Sequence, residues 1–334
     1  MCTSFRINAQ DKSVVIGRTM EFPNLMDAQI SVIPRGYQGT GTGVDGPGKR
    51  WTSKYGLVGV DAFGGPAMLT DGMNEKGLYG GLLYMPGFCD YTPADGKAAD
   101  TLLAITDVAA FVLGTCATVA DVKAAMESVT VWPYVLAAFG ATPQAHLVIH
   151  DSTGASGVVE WVHGEMVFFD NPIGVATNAP HLDWHLTNLR NYLSLSDTNP
   201  ESIELSGVTL SALGQGQGMY GLPGDSSGPS RFVRAVAYAH TLQPVSTAAE
   251  LETTALHILN NFDIPFGLIR TGSNPGGDDH TLWTTISNLT DRRYTIRTYN
   301  DPIPQTIDLK TIDFTRSAPT QTALPAGSFP TLSV

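Results

Sequence analysis

Met1-Cys2-Thr3-Ser4-Phe5-Arg6-Ile7-Asn8, followed by Val14-Val15-Ile16-Gly17-Arg18-Thr19-Met20-Glu21-Phe22, is the stretch whose reading decides the fold. Two strand-like runs flank the polar break Asp11-Lys12-Ser13, and polar and apolar residues alternate in the first. That pattern predicts a β-hairpin at the very start of the chain. The hairpin returns Arg18 and Glu21 to the neighbourhood of Cys2. A cysteine in second position is small enough for Met1 to be removed. Removal leaves thiol and free α-amine on one residue, so a nucleophile and its base are joined covalently. A guanidinium beside a thiol favours the thiolate, and the Glu21 carboxylate can hold the amine through a charge-assisted hydrogen bond. The plainer reading makes Cys2 an ordinary terminal residue and Arg18 with Glu21 a surface pair of little energetic worth.

Working outward, further strands are expected at residues 29–34, 56–60, 77–83, 146–150, 157–162, 165–169, 174–177, 281–288, 293–299 and 306–308. Helical spacing covers 99–113, where Leu102, Ile105, Ala109 and Val112 share a face. Other helices are expected after an N-cap at Thr118 and over 182–195, 230–242 and 247–261. Residues 36–48 hold six glycines and read as a mobile surface loop. The Pro-, Ala-, Thr- and Ser-rich tail 317–334 reads as frayed, which leaves one domain over 2–316. Strands, helices, strands, helices and strands in that order lack the βαβα rhythm of a parallel sheet. The fold class is α+β, with antiparallel sheets layered against helices.

Of the 334 residues, 43% are hydrophobic and 15% charged, so a sizeable core can be buried. Nineteen Lys and Arg against 31 Asp and Glu give a net charge of −12. This excludes a duplex nucleic-acid partner, which needs basic charge, and disfavours adsorption to anionic lipid. The three cysteines, Cys2, Cys89 and Cys116, form no CxxC pair and cannot make a complete disulfide framework. His181 and His185 stand four apart without an evident third metal ligand and read as surface or supporting groups. Apolar windows such as 108–113 are too short to span a bilayer. The opening residues carry no basic segment followed by an apolar run. A cytoplasmic location is therefore expected for the chain as written, and a periplasmic or secreted one if an export signal has been trimmed.

Longer motifs add a resemblance. Met-Cys-Thr-Ser-Phe with Gly17-Arg18-Thr19-Met20-Glu21-Phe22 opens the series. Trp51-Thr52-Ser53-Lys54-Tyr55-Gly56, Asp71-Gly72-Met73-Asn74-Glu75-Lys76-Gly77-Leu78 and Ala176-Thr177-Asn178-Ala179-Pro180 follow it. Asp183-Trp184-His185-Leu186-Thr187-Asn188-Leu189, Gly221-Leu222-Pro223-Gly224-Asp225 and Ser230-Arg231-Phe232-Val233-Arg234 complete it. In this order they resemble the choloylglycine hydrolase family, the bile salt hydrolases and penicillin V acylases, which are N-terminal nucleophile hydrolases of linear amides. The resemblance implies a four-layer αββα sandwich and a homo-oligomer, a tetramer. It implies Cys2 as nucleophile, Arg18 beside it, Asn178 in the oxyanion hole and Arg231 as a second active-site arginine. Glu21 stands where most members have Asp. Tyr84 stands where bile salt hydrolases usually have Asn and penicillin V acylases often have Tyr.

The implied reaction needs no metal or organic cofactor. Thiolate attack on a small-molecule acyl amide gives an acyl-enzyme, the α-ammonium protonates the leaving amine, and the free amine activates water. The backbone at Tyr84 and the Asn178 side chain would hold the oxyanion. Tyr84, Met85 and Phe88 are expected to line an apolar acyl pocket, and Arg18 and Arg231 to offset the overall negative charge for an anionic leaving amine. Tyr84 tilts the reading towards a penicillin V acylase. The alternatives are a conjugated bile salt hydrolase, an acyl-homoserine-lactone acylase, or a catalytically silent member if Met1 is retained.

Overall fold

The opening hairpin forms where the alternation places it. In the computed structural model, which describes residues 1–270, 277–327 and 329–330, β1 (Cys2–Asn8) pairs antiparallel with β2 (Val14–Phe22). The register sets Cys2 opposite Met20 and Ser4 opposite Arg18. These two strands lie inside a six-stranded sheet in the order Val175–Ala176, β1, β2, His280–Asn288, Arg293–Thr298, Gln305–Asp308. A second sheet has eight strands, in the order Glu165–Asp170, Ser156–Val162, Ala145–Asp151, Leu78–Tyr84, Gly65–Asn74, Leu57–Ala62, β3 (Gln29–Ile33) and Thr320–Ala323. Neighbouring strands in both sheets run antiparallel.

Five α-helices accompany the sheets among the described residues: α1 (Ile105–Thr115), α2 (Val119–Glu127), α3 (Leu182–Asn188), α4 (Gly228–His240) and α5 (Ala248–Leu259). The pair α1 and α2 packs on the eight-stranded sheet, and the pair α4 and α5 on the six-stranded sheet. The sheets meet between them, where Thr285 and Tyr294 of one hydrogen-bond to Asp71 of the other. The result is the four-layer αββα sandwich, an α+β fold built from two antiparallel sheets between helices. Thr118 caps α2 as expected: its hydroxyl accepts from the Asp121 N–H, and the Asp121 carboxylate accepts from the Thr118 N–H. No helix among the described residues is long and apolar enough to cross a membrane.

Four expectations are corrected. The helix expected over 99–113 begins only at Ile105, because the Asp107 carboxylate takes the Ala104 N–H at 2.8 Å and starts the helix there. Leu102–Leu103 instead pairs in parallel with Thr130–Val131. The helix expected over 182–195 stops at Asn188 and tightens into a 3₁₀ turn, Leu189–Tyr192. Residues 36–48 are not a loose loop: Gln38–Thr42 pairs with Pro47–Thr52. There the glycines allow close approach, since a Cβ on Gly39 would sit 2.0 Å from the Trp51 ring. The tail is not uniformly frayed either. Thr320–Ala323 forms the edge strand beside β3, and Gln321 Nε2 donates to Asp61 Oδ2 at 2.6 Å. Residues 328 and 331–334 of that tail lie outside the described residues.

Removing residues 317–334 should therefore destabilise the protein, by about 1–3 kcal/mol for a short ladder and one hydrogen bond to a buried carboxylate. Denaturant unfolding of the truncated and full chains measures this; equal midpoints would show that the edge strand contributes nothing.

Candidate active site

Cys2 is the first residue of β1 and is buried. Because side chains two apart on a strand share a face, Arg18 and Met20 of β2 both reach it. Arg18 Nη2 lies 3.9 Å from Cys2 Sγ and 3.2 Å from Met20 Sδ, and donates to the Leu82 carbonyl at 3.2 Å. The guanidinium is fully buried, with Asp71 Oδ2 3.4 Å from its Nη1. Asp71 in turn accepts from Tyr294 Oη at 2.7 Å and Thr285 Oγ1 at 2.8 Å. Burial works against the guanidinium charge, but Asp71 and then Cys2 outweigh it and hold Arg18 above its ordinary value. A fixed cation thus lies directly beside the Cys2 sulfur.

A second arginine fixes the backbone. Arg231 sits in the first turn of α4 and is fully buried. Its Nη1 donates to the Cys2 carbonyl and, at 2.9 Å, to Thr3 Oγ1; its Nη2 donates to Asn178 Oδ1; its Nε donates to the Ser226 carbonyl at 2.9 Å. The same Asn178 oxygen accepts the Cys2 backbone N–H at 3.0 Å. Asn178 Nδ2 donates to the Tyr84 carbonyl, and an amide nitrogen has a second hydrogen to offer an oxyanion. Behind Asn178, His185 Nε2 lies 2.9 Å from its carbonyl. The buried Glu160 lies within 3.2 Å of both His146 Nδ1 and His181 Nδ1, and His146 Nε2 lies 3.1 Å from the Thr177 carbonyl. Burial disfavours the Glu160 carboxylate, yet the two histidines outweigh it and hold the group below its ordinary value. His146 and His185 thus support the Thr177–Asn178 backbone directly, and His181 bonds to the Glu160 carboxylate behind it. Among the described residues, no group of three or more His, Cys, Asp and Glu side chains is placed to hold a metal ion.

With Met1 in place, the Glu21 backbone rather than its carboxylate meets the terminal ammonium. The Met1 ammonium donates to the Glu21 backbone carbonyl at 2.6 Å, and the Asp279 carboxylate lies 3.6 Å away. The Glu21 side chain is buried; Oε1 accepts from Thr281 Oγ1 at 3.3 Å and Oε2 has no partner. Burial pushes this carboxyl up, against the pull of Arg231. Nothing in the sequence marks Asp279, because only the pairing of His280–Asn288 with β2 brings it to the N-terminus.

Beside Cys2 opens an apolar cleft, about 670 Å³ with the open solvent at its entrance included, walled by Met20, Phe22, Phe63, Leu82, Tyr84 and Phe139 among others. Phe139 stacks on Phe22 at 6.0 Å between centroids, and Tyr84 meets Phe22 edge-on at 6.2 Å. Tyr84 lines the cleft as expected; Met85 and Phe88 do not. Met85 N–H bonds to the Gln144 carbonyl, and the side chain is fully buried in the core beneath α1. Phe88 is exposed and meets the edge of His181 at 5.4 Å. Arg18 and Arg231 lie beneath the cleft, in contact with Asp71, Asn178 and the backbone, and among the described residues no Lys or Arg lines it.

Burial pushes the Cys89 thiol up to about 12 and the Cys116 thiol up to about 11, so neither forms thiolate at neutral pH. Iodoacetamide near pH 7 should therefore label Cys2 alone, and Arg18→Leu should slow that labelling at least several-fold. Peptide mapping with timed quenching reads both; equal labelling rates would place the guanidinium out of range of the thiolate.

The comparisons with known proteins agree with this geometry. Residues 2–321 match the family described as linear amide C–N hydrolases, choloylglycine hydrolase family. The chain is 31% identical over 311 residues to the bile salt hydrolase/transferase of Clostridium perfringens, covering 92% of each protein. Its fold superposes on a mutant conjugated bile acid hydrolase of Clostridium perfringens with a TM-score of 0.88, at 28% identity and 99% coverage of both chains. The penicillin V acylase of Agrobacterium tumefaciens superposes with a TM-score of 0.77 at 26% identity, covering 97% of this chain and 92% of that one. With a cysteine at the head of β1, two buried arginines around it and a family match over nearly the whole length, the chain belongs to the choloylglycine hydrolase family of linear amide C–N hydrolases.

Proposed function

We propose that the protein, once Met1 is removed, hydrolyses small acyl amides with an aryl or alkyl acyl group through a Cys2 acyl-enzyme, in the manner of a penicillin V acylase. The observation that carries this reading is the cleft: it starts at Cys2, and its walls are mainly aromatic and aliphatic side chains. An acyl group seated there presents its carbonyl to Cys2 Sγ, between the Asn178 amide and the backbone at Tyr84. Arg18 sustains the thiolate, while Arg231 holds the Cys2 carbonyl and the Asn178 oxygen still. The freed α-ammonium, beside Asn178 Oδ1, protonates the leaving amine; the resulting amine then takes a proton from the water that cleaves the thioester. Retained Met1 ties up this nitrogen as an amide and gives a silent protein. Similarity to bile salt hydrolases supports a second reading, with a steroid acyl group.

Acyl 4-nitroanilides separate the two readings with one common leaving group. The phenoxyacetyl or a long-chain acyl amide should exceed the cholyl amide in kcat/KM. Phe139→Ala should lower the phenoxyacetyl value about tenfold, mainly through KM, as expected when an aromatic contact is lost. Intact mass should show the active species without Met1. A preference for the cholyl amide would overturn the aryl or alkyl reading.

We propose further that the protein is a homo-oligomer, and that the hairpin of Ile203–Leu205 with Val208–Leu210 docks on a second copy. Ile203 faces Leu210 and Leu205 faces Val208, so all four apolar side chains share one face, and all four are exposed. An isolated two-stranded hairpin with an uncovered apolar face is marginal in water. Light scattering should show an oligomer for the wild type and a smaller species for the Leu205→Asp, Val208→Asp double variant; a monomeric wild type would refute the assignment.

A further inference from the structure

Met1 shows what the space next to the nucleophile recognises. Its ammonium donates to the Glu21 carbonyl at 2.6 Å and lies 3.6 Å from Asp279 Oδ2, while its carbonyl accepts the Glu21 N–H at 2.9 Å. The buried Glu21 Oε2 has no partner of its own. Met1 and Asp279 remain partly exposed, at 20% and 16%, so solvent reaches this corner. Asp279 also acts on the cleft itself, since after burial it is the next cause of the raised Tyr84 hydroxyl.

We infer, on the acyl-amide reading above, that loss of Met1 opens a cation subsite, built from the Asp279 carboxylate and the Glu21 backbone carbonyl, that selects leaving amines bearing a second, positively charged amine over those bearing an acid. The Met1 amine is separated from the Cys2 nitrogen by two carbons, the Met1 Cα and carbonyl carbon. The leaving amine must come up to the Cys2 nitrogen to receive its proton. With its leaving nitrogen hydrogen-bonded to the Cys2 nitrogen, a 1,2-diamine acylated on one nitrogen has the reach to bring its other nitrogen to the place of the Met1 ammonium, beside Asp279 and the Glu21 carbonyl. The freed Glu21 N–H suits an oxygen acceptor at the intervening carbon. An acid in the same place would face Asp279, and among the described residues no Lys or Arg lines the cleft to meet it. The net charge of −12 acts in the same sense at long range, drawing in cationic substrates and repelling anionic ones.

The test uses processed enzyme and three phenoxyacetyl amides, of 1,2-diaminoethane, glycinamide and glycine. At low ionic strength, kcat/KM should fall in that order, with at least tenfold between first and last. Asp279→Asn should bring the diamine-to-glycinamide ratio towards one, and Asp279→Glu should restore part of it. An unchanged ratio in Asp279→Asn, or preference for the glycine amide, overturns the subsite. A second measurement needs no turnover and so separates this inference from the acyl-group reading. Free 1,2-diaminoethane should slow alkylation of Cys2 by iodoacetamide more than glycine does, and the difference should vanish in Asp279→Asn. Equal protection by the two amines overturns the inference even if none of the three amides is cleaved.

Discussion

The site depends on one buried ion pair. Arg18 and Asp71 come from different sheets and meet in the middle of the sandwich, both fully buried. Taking two charges out of water costs several kcal/mol per ion, and such a pair adds little to stability unless the remaining polar atoms are satisfied. Tyr294 and Thr285 satisfy Asp71. The pair thus holds the guanidinium against Cys2 from inside the protein, where solvent cannot screen it. The same arrangement ties the two sheets together at the level of the nucleophile, so the chemistry and the packing share their central contact.

Around this pair the remaining groups act mainly on the backbone. Arg231 grips the Cys2 carbonyl and the Asn178 oxygen, and Asn178 links the Cys2 nitrogen to the Tyr84 carbonyl. Glu160, His146 and His185 secure the Thr177–Asn178 segment from behind. An N-terminal nucleophile has no preceding chain to hold it once Met1 is gone. Contacts to its own nitrogen and carbonyl replace the restraint that a preceding residue would supply, and they draw on helix α4, the 177–182 turn and the end of strand Leu78–Tyr84.

Charge is distributed in layers. Cations lie beneath the Cys2 thiol, apolar side chains wall the cleft beside it, and a carboxylate and a carbonyl oxygen meet the Met1 ammonium. Arginines that look available in the sequence lie fully buried beneath the cleft rather than in its lining. Burial and hydrogen bonding, rather than formal charge, decide which groups a substrate meets.

Much was legible in the chain alone. Alternation in residues 2–8 and 14–22 set the hairpin, and strand periodicity put Arg18 and Met20 on one face with Cys2. The Thr118 cap, the late helices and the α+β order followed from local preferences, because capping and periodicity are properties of neighbouring residues. The family motifs carried Asn178 and Arg231 to the site. Tertiary structure alone decided the rest. The glycines of 36–48 make a hairpin only because Trp51 lies over Gly39, and Thr320–Ala323 becomes a strand only because β3 offers an edge. Met85 turns into the core while Phe139, Phe63 and Phe22 converge on the cleft from distant segments. Asp71 and Asp279 reach Arg18 and Met1 across long sequence separations. Contacts of this kind depend on which strands lie side by side and how two sheets face each other, and neither is a property of any local window of sequence.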